Sequence, residues 1–297
     1  TRKTFLHTLV EAQLSAIDNF KPDYLLTEMD PAAYISSLAR RLPLSIIYAN
    51  FALSGIGSFY WRKMKSSLLY VLDKHGLPLT TPEEVFLNHK VLKIIPSIPD
   101  LDKTDPDRED ICYIGNLSPQ VKKAPLDFVM ESEKKHLFVY LGLGSIPLQR
   151  IRIVLPETFR IFADLKCIVS SHDISSKFQI HNVEFLPYTQ TDQLRPRCAM
   201  TICHGGLSAI TQSLAYGIPL LVFPGPIYER RYNAYQVVEQ GVGFMGEYSD
   251  FNPRWLRNAF NKRHELTDNL SAIQRRFKEY DGPSAAVLAI DKWLKRF

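Results

Sequence analysis

Residues 199–216 decide the fold; they read A-M-T-I-C-H-G-G-L-S-A-I-T-Q-S-L-A-Y. The apolar run Ala199–Cys203 predicts a buried strand, and the segment 208–216 predicts a helix. Two glycines between them, Gly205 and Gly206, allow a tight backbone turn. A strand that turns directly into a helix is typical of an open α/β sheet.

The rest of the second half repeats this alternation. Strands are predicted at 137–141, 165–169, 183–185 and 219–223, and helices at 149–163 and 232–240. The first of these strands runs directly into a second glycine turn, Gly142-Leu143-Gly144-Ser145. Because such strands pair in parallel through right-handed crossovers, the second half is predicted to be a doubly wound unit.

The first half follows the same pattern. Helices are predicted at 5–17, 31–41 and 59–72, with strands at 24–26 and 44–48. Between Pro96 and Lys123 the chain is rich in proline and aspartate, which indicates an interdomain linker. We therefore predict an α/β protein with two Rossmann-like domains, residues 1–118 and 119–297.

The composition is that of a soluble globular protein, with 297 residues, 45% of them hydrophobic, and a net charge of +5. No long basic block is interleaved with aromatic residues, so nucleic-acid binding is not expected. The four cysteines form no CxxC pair and no cluster with metal-ligand spacing, which predicts reduced thiols and no metal site. No signal peptide or transmembrane run is found, so the predicted location is cytoplasmic. Short basic clusters such as 275–278 are compatible with peripheral membrane contact.

Both glycine turns follow a strand and precede a helix, which is where an open parallel sheet binds its ligands. The first N–H groups of a helix and its partial positive charge suit a diphosphate. Ser145 offers a hydroxyl and His204 a ring nitrogen, and Gln212 lies about two turns into its helix, within reach of a ribose. The alternative is structural, with ordinary turns at the glycines and a hydrogen-bonded core residue at His204.

An ordered series of motifs continues along the chain: His204-Gly205-Gly206, Gly217-Ile218-Pro219, Glu229-Arg230 and Asn233-Ala234. This series resembles the donor-binding half of family 1 glycosyltransferases, the macrolide and UDP-glucuronosyltransferase group. Residues 113–117 are similar to the interdomain motif of that family, and Phe185-Leu186-Pro187-Tyr188 to its base-binding loop. The resemblance covers nearly the whole chain and implies the GT-B fold, in which two Rossmann-like domains face a cleft.

The resemblance also implies roles for individual residues. The donor would be a UDP- or dTDP-sugar whose base packs on the loop 185–188, whose ribose meets Gln212, and whose sugar lies near Glu229 and Arg230. The diphosphate would be held by the two turns and the start of the helix, at Gly144, Ser145, His204, Gly205, Gly206, Leu207 and Ser208. The implied reaction transfers a hexose to a hydroxyl of a small-molecule or lipid acceptor, with inversion and without a metal ion or cofactor.

Three features depart from the family pattern. Gln212 stands where the family usually has glutamate, and Arg230 stands where it has the glutamine of an acid-glutamine pair. The Gly-rich turn that begins family members, and the general-base histidine within it, have no counterpart, so the first domain is expected to be incomplete. Glu28 matches the acidic position that orients this base, and Asp30 is its neighbour. The alternative for the two residues is a solvated turn and a helix cap.

Two other functions stay open at this point. A non-catalytic subunit would bind a nucleotide sugar without transferring it. A nucleotide-sugar 2-epimerase would share the two-domain architecture but would need acids that converge on the sugar.

Overall fold

A computed structural model of the chain describes residues 2–48, 58–102, 108–117, 136–141, 145–188 and 195–296. The chain divides into two compact units, Thr1–Ile114 together with Gly282–Phe297, and Gly115–Asp281. The sequence-based division placed the last segment in the second domain. In the structure this segment belongs to the first unit, because its helix Pro283–Leu294 contacts the strand Leu92–Ile95 there.

The first unit contains a sheet of four described strands in the order β1-β2-β3-β4, and all its neighbouring pairs are parallel. The strands are β1 (Leu25–Glu28), β2 (Leu44–Ile47), β3 (Leu92–Ile95) and β4 (Ile111–Tyr113). The helices are α1 (Arg2–Phe20), α2 (Pro31–Arg40), α3 (Ser58–Lys74), α4 (Pro82–Leu87) and, from the end of the chain, α10 (Pro283–Leu294). Parallel strands require long crossovers; α2 lies in the connection from β1 to β2, and α3 and α4 lie in the connection from β2 to β3.

Helices α1 and α3 pack against each other in the core of the first unit. Leu6, Val10 and Leu14 recur at helical spacing along α1 and are buried. Leu68 and Leu72 of α3 belong to the same hydrophobic cluster and are also buried. This packing fixes the two helices side by side.

A buried ion cluster joins β3 to the residues that precede β4. The side chain of Lys93 is 0% exposed, and its Nζ donates to Oδ2 of Asp110 at 2.6 Å. Arg108 donates to both carboxylate oxygens of Asp110, at 3.0 and 2.6 Å. Burial opposes the charge of Asp110, but the hydrogen bonds from Arg108 and Lys93 outweigh it and lower the pKa of this carboxyl to about 2. Burial lowers the pKa of Lys93 to about 8, although Asp110 opposes this shift.

The second unit contains a sheet of seven described strands in the order β11-β10-β9-β5-β6-β8-β7. They are β5 (His136–Tyr140), β6 (Lys166–Ser171), β7 (Phe178–Ile180), β8 (Val183–Pro187), β9 (Cys198–Cys203), β10 (Leu220–Val222) and β11 (Gly243–Met245). The helices are α5 (Leu148–Phe159), α6 (Leu207–Ala215), α7 (Tyr228–Glu239), α8 (Pro253–Asn261) and α9 (Thr267–Phe277). The central strands β5 and β9 are nearly continuous apolar runs, as expected for strands covered on both faces.

The order of strands in this sheet reverses at its centre. From β5 the chain moves to β6 and β8 on one side, and it then returns to β9, β10 and β11 on the other side. All neighbouring pairs are parallel except β7 and β8. The reversal lies between β5 and β9, where Tyr140 is paired with Cys203. Open α/β sheets bind ligands beyond the carboxyl ends of the strands at such a reversal.

The predicted α/β class and the doubly wound second half are confirmed. One part of the predicted interdomain linker, Ile111–Tyr113, is instead strand β4 of the first sheet. The sequence pattern also did not reveal the short strands β3, β7 and β11. Along the described chain, no helix combines the length and the hydrophobicity needed to cross a membrane.

Candidate functional site

His204 directly follows β9 and therefore lies at the reversal point of the second sheet. Its Nδ1 is 3.4 Å from the carbonyl oxygen of Tyr140, and the two rings meet edge to face with centroids 5.3 Å apart. Because a carbonyl can only accept, Nδ1 is the protonated nitrogen in this contact, and Nε2 of the neutral ring is an acceptor. Burial and, next, the charge of Arg230 lower the pKa of His204, while the contact with Tyr140 opposes the shift. The imidazole is therefore neutral at neutral pH.

The turn after His204 requires its glycines. Gly205 has φ +89°, and a Cβ there would lie 2.7 Å from the carbonyl oxygen of Arg230. A Cβ on Gly206 would lie 2.8 Å from Nε2 of His204. Asn233 of α7 donates from Nδ2 to the carbonyl oxygen of Gly205 at 3.0 Å. Helix α7 thus holds the backbone of the turn in place.

The start of α6 offers hydrogen-bond donors at the same edge of the sheet. Gly206 is the N-cap and has no side chain with which to cap the helix. The first N–H groups of a helix, here those of Leu207 and Ser208, have no carbonyl partner within it, so they suit an anion. Gln212 lies one turn after Ser208 on the same helix face; Ser208 is exposed and Gln212 is half-buried.

Ser145 follows β5, on the other side of the reversal point. Its hydroxyl donates to the carbonyl oxygen of Leu141 at 3.0 Å, and the residue is buried. A hydroxyl has one proton, so donation to a phosphate would require this hydrogen bond to break. Gly144, which was predicted to line the same turn, lies outside the described residues.

The predicted base-binding loop is mostly a strand. Phe185, Leu186 and Pro187 belong to β8. Phe185 is 0% exposed and stacks on Phe178 with ring centroids 4.6 Å apart, so its side chain is part of the core and does not offer a surface to a base. Tyr188, just after the strand, is 55% exposed.

Tyr188 forms an aromatic surface together with a residue that the sequence did not indicate. Its ring stacks on that of His172 with centroids 4.1 Å apart and an angle of 17° between the planes. It also lies 5.9 Å from the ring of Tyr140. Both Tyr188 and His172 are exposed, so this stacked pair can receive a further planar ring. His172 follows β6, and the rule that ligands bind at carboxyl ends of strands would have drawn attention to it.

Glu229 and Arg230 lie in the first turn of α7 and are half-buried. Burial lowers the pKa of Arg230, while the charge of Glu229 opposes the shift. Arg230 also acts on the pKa values of His204 and Tyr140. The predicted cation is therefore close to the end of β5 and to His204, where a diphosphate would be expected.

A cavity of about 370 Å³ lies beside Ser145 at the same edge of the sheet. It is lined by Ser145, Ile146, Phe223, Gly225, Pro226, Arg231, Gly246, Glu247 and Tyr248. Arg231 donates to Oε1 of Glu247 at 2.7 Å and to the carbonyl oxygen of Gly225 at 3.3 Å. Ser145 is the one predicted site residue in this lining. Arg231 and Glu247 were not predicted, although Glu247 closely follows β11 and Arg231 adjoins the predicted Glu229-Arg230 pair.

Comparisons with known proteins agree with this architecture. Residues 161–281 match the glycosyltransferase family 28 C-terminal domain. The spinosyn forosaminyltransferase SpnP superposes with a TM-score of 0.72 at 17% identity, covering 96% of this chain and 80% of that one. The glycosyltransferase SnogD from Streptomyces nogalater does so with a TM-score of 0.68 at 16% identity, covering 97% and 80%. The chain has the GT-B fold of the glycosyltransferases. The predicted resemblance to this group is thereby confirmed.

Sequence relatives align with shorter parts of the chain. A UDP-N-acetylglucosamine-N-acetylmuramyl-(pentapeptide) pyrophosphoryl-undecaprenol N-acetylglucosamine transferase of Bifidobacterium longum (strain DJO10A) is 31% identical over 103 residues, which are 34% of this chain and 24% of that protein. Aclacinomycin-T 2-deoxy-L-fucose transferase of Streptomyces galilaeus is 24% identical over 115 residues, which are 37% and 26%. The matched part thus spans about a quarter of the length of these relatives.

The part of the chain that matches the C-terminal domain contains β9, α6 and α7, and therefore most of the donor-site candidates. His204, Gln212, Glu229 and Arg230 all lie within it, whereas Ser145 lies outside. The four residues are predicted from the motif series, and the structure places His204 directly after β9, Gln212 on α6, and Glu229 and Arg230 at the start of α7.

Asp30 and Glu28, the two acidic candidates of the first unit, have different surroundings. Asp30 is the N-cap of α2, and its Oδ1 accepts from the N–H of Ala32 at 2.9 Å. Its Oδ2 accepts from Nε2 of Gln13 at 2.7 Å. Both carboxylate oxygens thus hold α1 and α2 in place, which supports the helix-cap alternative. Glu28 ends β1 and is exposed.

Proposed function

We propose that this chain acts in a glycosyltransferase that moves a hexose from a UDP- or dTDP-sugar to a hydroxyl acceptor. The observation that carries the proposal is the placement of His204 and the uncapped start of α6 at the reversal point of the second sheet. This is the position at which open α/β sheets bind nucleotides. The names of similar proteins point the same way: the name of the Bifidobacterium longum relative includes UDP-N-acetylglucosamine, and VinC, a glycosyltransferase of similar structure, was solved in complex with dTDP.

In this proposal, the diphosphate lies against the N–H groups of Leu207 and Ser208. The partial positive charge at the helix start offsets part of its negative charge. Nε2 of His204 donates to a phosphate oxygen once the ring has gained a second proton. Arg230, which is electrostatically coupled to His204, adds a fixed positive charge at the same edge. Together these groups stabilise the diphosphate as it leaves, without a metal ion in the donor site.

The remaining parts of the donor would contact neighbouring groups. The base stacks on Tyr188, which His172 supports from its other face. The ribose accepts or donates hydrogen bonds at Gln212 on α6. The cavity beside Ser145 offers the Arg231–Glu247 ion pair to sugar hydroxyls, and its volume of about 370 Å³ suits a small polar group.

The proposed reaction is a direct displacement at the anomeric carbon. A base takes the proton of the acceptor hydroxyl, and the hydroxyl oxygen bonds to the anomeric carbon. The bond from that carbon to the diphosphate oxygen breaks at the same time, so the configuration at the anomeric carbon is inverted. Glu28 is the acidic candidate whose carboxylate is exposed. The acceptor class is a small molecule or a lipid, because the names of similar proteins include an undecaprenol-linked substrate and a spinosyn aglycone.

Calorimetric titration of the chain with UDP and with dTDP, in EDTA, tests the donor site. We expect saturable binding of one of the two nucleotides, with an affinity that added Mg²⁺ does not raise. A folded protein that gives no heat with either nucleotide would overturn the proposal. Release of nucleotide from the matching sugar donor, measured with and without candidate acceptors, then separates transfer from binding alone.

A further inference from the structure

Two histidines and a glutamate meet in the first unit, on elements that the proposed function does not use. His7 and Glu11 are one turn apart on α1, and His75 follows α3 directly. Nε2 of His75 is 3.3 Å from Oε1 of Glu11, and Nε2 of His7 is 3.7 Å from the same oxygen. The three ligand atoms all lie within 4.8 Å of one another.

The surroundings of His75 show that this cluster is more than a set of surface charges. The side chain of His75 is 16% exposed, and its Nε2 is buried and makes no hydrogen bond to any described residue. An unsatisfied buried polar atom is costly, so such an atom calls for a partner. Oε1 of Glu11 lies at contact distance from this nitrogen but without hydrogen-bond geometry. The ring of His7 stacks on that of His75 with centroids 5.7 Å apart.

The helices that carry the cluster are held firmly. Val10, next to Glu11 on α1, is 0% exposed, and so are Val71 and Leu72 near the end of α3. All three belong to one hydrophobic cluster. The backbone positions of the three polar residues are therefore fixed by packing, and only their side-chain torsions need to adjust to a ligand.

We propose that His7, Glu11 and His75 bind a zinc ion. Zinc takes imidazole nitrogens and carboxylate oxygens at ~2.0–2.2 Å, which places neighbouring ligand atoms of a tetrahedral site ~3.4 Å apart. The separations of 3.3 and 3.7 Å are close to this value. Three protein ligands leave the fourth position to water or to another group.

Nearby lysines limit the expected affinity. Lys3 and Lys74 lie over the ring of Tyr70, with Nζ to centroid distances of 5.6 and 5.9 Å, and the same ring contacts His7. Their charges oppose a cation, so the site binds zinc more weakly than a closed four-ligand site does. The ion would connect α1 to the end of α3 and stabilise the first unit by mass action. Its ligands belong to the first unit, whereas the donor-site residues belong to the second.

Zinc binding is tested on the whole chain, without an affinity tag and after dialysis against EDTA. Titration with zinc chloride in a calorimeter is expected to show one site per chain, and zinc is expected to raise the unfolding temperature. Cobalt provides a second readout, because a tetrahedral site gives it strong visible absorption. The variants His7→Ala, Glu11→Gln and His75→Ala are each expected to lower zinc affinity at least tenfold and to abolish that absorption.

His264→Ala is the matched control, since its ring is exposed and lies in the second unit. This variant is expected to bind zinc as the parent does. Should His75→Ala fail to fold, the more exposed His7 and Glu11 still decide the outcome. The absence of a zinc-dependent thermal shift in the parent, or equal zinc affinity in parent, His7→Ala and Glu11→Gln, would overturn the proposal.

Discussion

The imidazole of His204 is half-buried and neutral, and it contacts the backbone of the neighbouring central strand. Each of these properties suits a core histidine as well as a ligand-binding one. The two roles differ in the protonation state of His204 when a diphosphate is bound. A core residue keeps its single proton, whereas a residue that faces a diphosphate gains a second one.

We expect His204→Ala to weaken binding of UDP or dTDP by about 1–3 kcal/mol, the usual loss for a hydrogen bond to a charged group. The melting temperature should stay close to that of the parent, because Nδ1 makes one long backbone contact, at 3.4 Å. Calorimetric titration measures the first quantity and thermal unfolding the second. His264→Ala serves as the control. A variant that is much less stable but binds with undiminished affinity would assign His204 to the core.

The protonation of His204 predicts a pH dependence of donor binding. The pKa of His204 is lowered in the free protein, and the negative charges of a bound diphosphate raise it. At pH values between the free and the bound pKa, nucleotide binding is therefore accompanied by the uptake of a proton. Affinity should therefore be flat below the free pKa, fall as pH rises through the interval, and become flat again above the bound pKa. We suggest titrations with a nucleotide sugar, whose phosphates do not titrate here, between about pH 5.5 and about pH 8. The dependence should vanish in His204→Gln, and a flat profile in the parent would contradict proton uptake.

At the scale of elements, the junction between β9 and α6 positions the site. Gly205→Ala should destabilise the protein by about 1–3 kcal/mol, because the backbone has positive φ there and the new Cβ would meet the carbonyl oxygen of Arg230 at 2.7 Å. Nucleotide affinity should fall as well, since relief of the clash moves the start of α6.

Gly76→Ala is a matched control for this prediction. Gly76 also has positive φ, at +61°, but a Cβ there would have no atom within 4 Å. Its cost should be about 1 kcal/mol, from the backbone conformation alone, with unchanged nucleotide affinity. Urea unfolding and calorimetry measure the two quantities. Equal losses of stability in the two variants would contradict this prediction, because they would show that the clash of the new Cβ with the carbonyl oxygen of Arg230 does not destabilise the protein.

These elements also show what the sequence can and cannot predict. The strand of Cys203, the turn at Gly205 and the helix of Gln212 follow from local apolar spacing and glycine chemistry, and the structure contains them. Strand β7, Phe178–Ile180, has three residues, too few for a periodic pattern. Its antiparallel pairing with β8 buries Phe185 against Phe178. The side chain of Phe185 is therefore not available to a base, although its strand was predicted.

The cavity at Arg231 and Glu247 also could not be predicted from the sequence. It brings together the segments after β5, β10 and β11, which are distant in sequence. The motif series marks the edge of the sheet at which ligands bind, but neighbours across that edge depend on the order of strands. That order is set by tertiary packing and is not contained in any single segment.

At the scale of the whole molecule, each of the two units has its own hydrophobic core. The donor-site candidates belong to the second unit, and the ion cluster of Lys93, Arg108 and Asp110 to the first. The stability of the first unit and the nucleotide affinity of the second therefore depend on different residues. A substitution in the ion cluster can test this separation.

We expect Asp110→Ala to lower the free energy of unfolding by about 3–5 kcal/mol, because it leaves the charge of buried Lys93 without its partner. The pKa of Asp110 is lowered to about 2, so its stabilising effect is complete above its ordinary pKa of 3.8 and is lost as pH falls through 2. The stability of the variant should accordingly depend less on pH than that of the parent between pH 3.8 and about 2.

Asp291→Ala is the control: it removes an exposed ion pair with Lys295 in the same unit and should change stability by no measurable amount. Below the unfolding transition, UDP or dTDP affinity of Asp110→Ala should equal that of the parent, and a marked loss of affinity in folded protein would show that the donor site depends on the first unit.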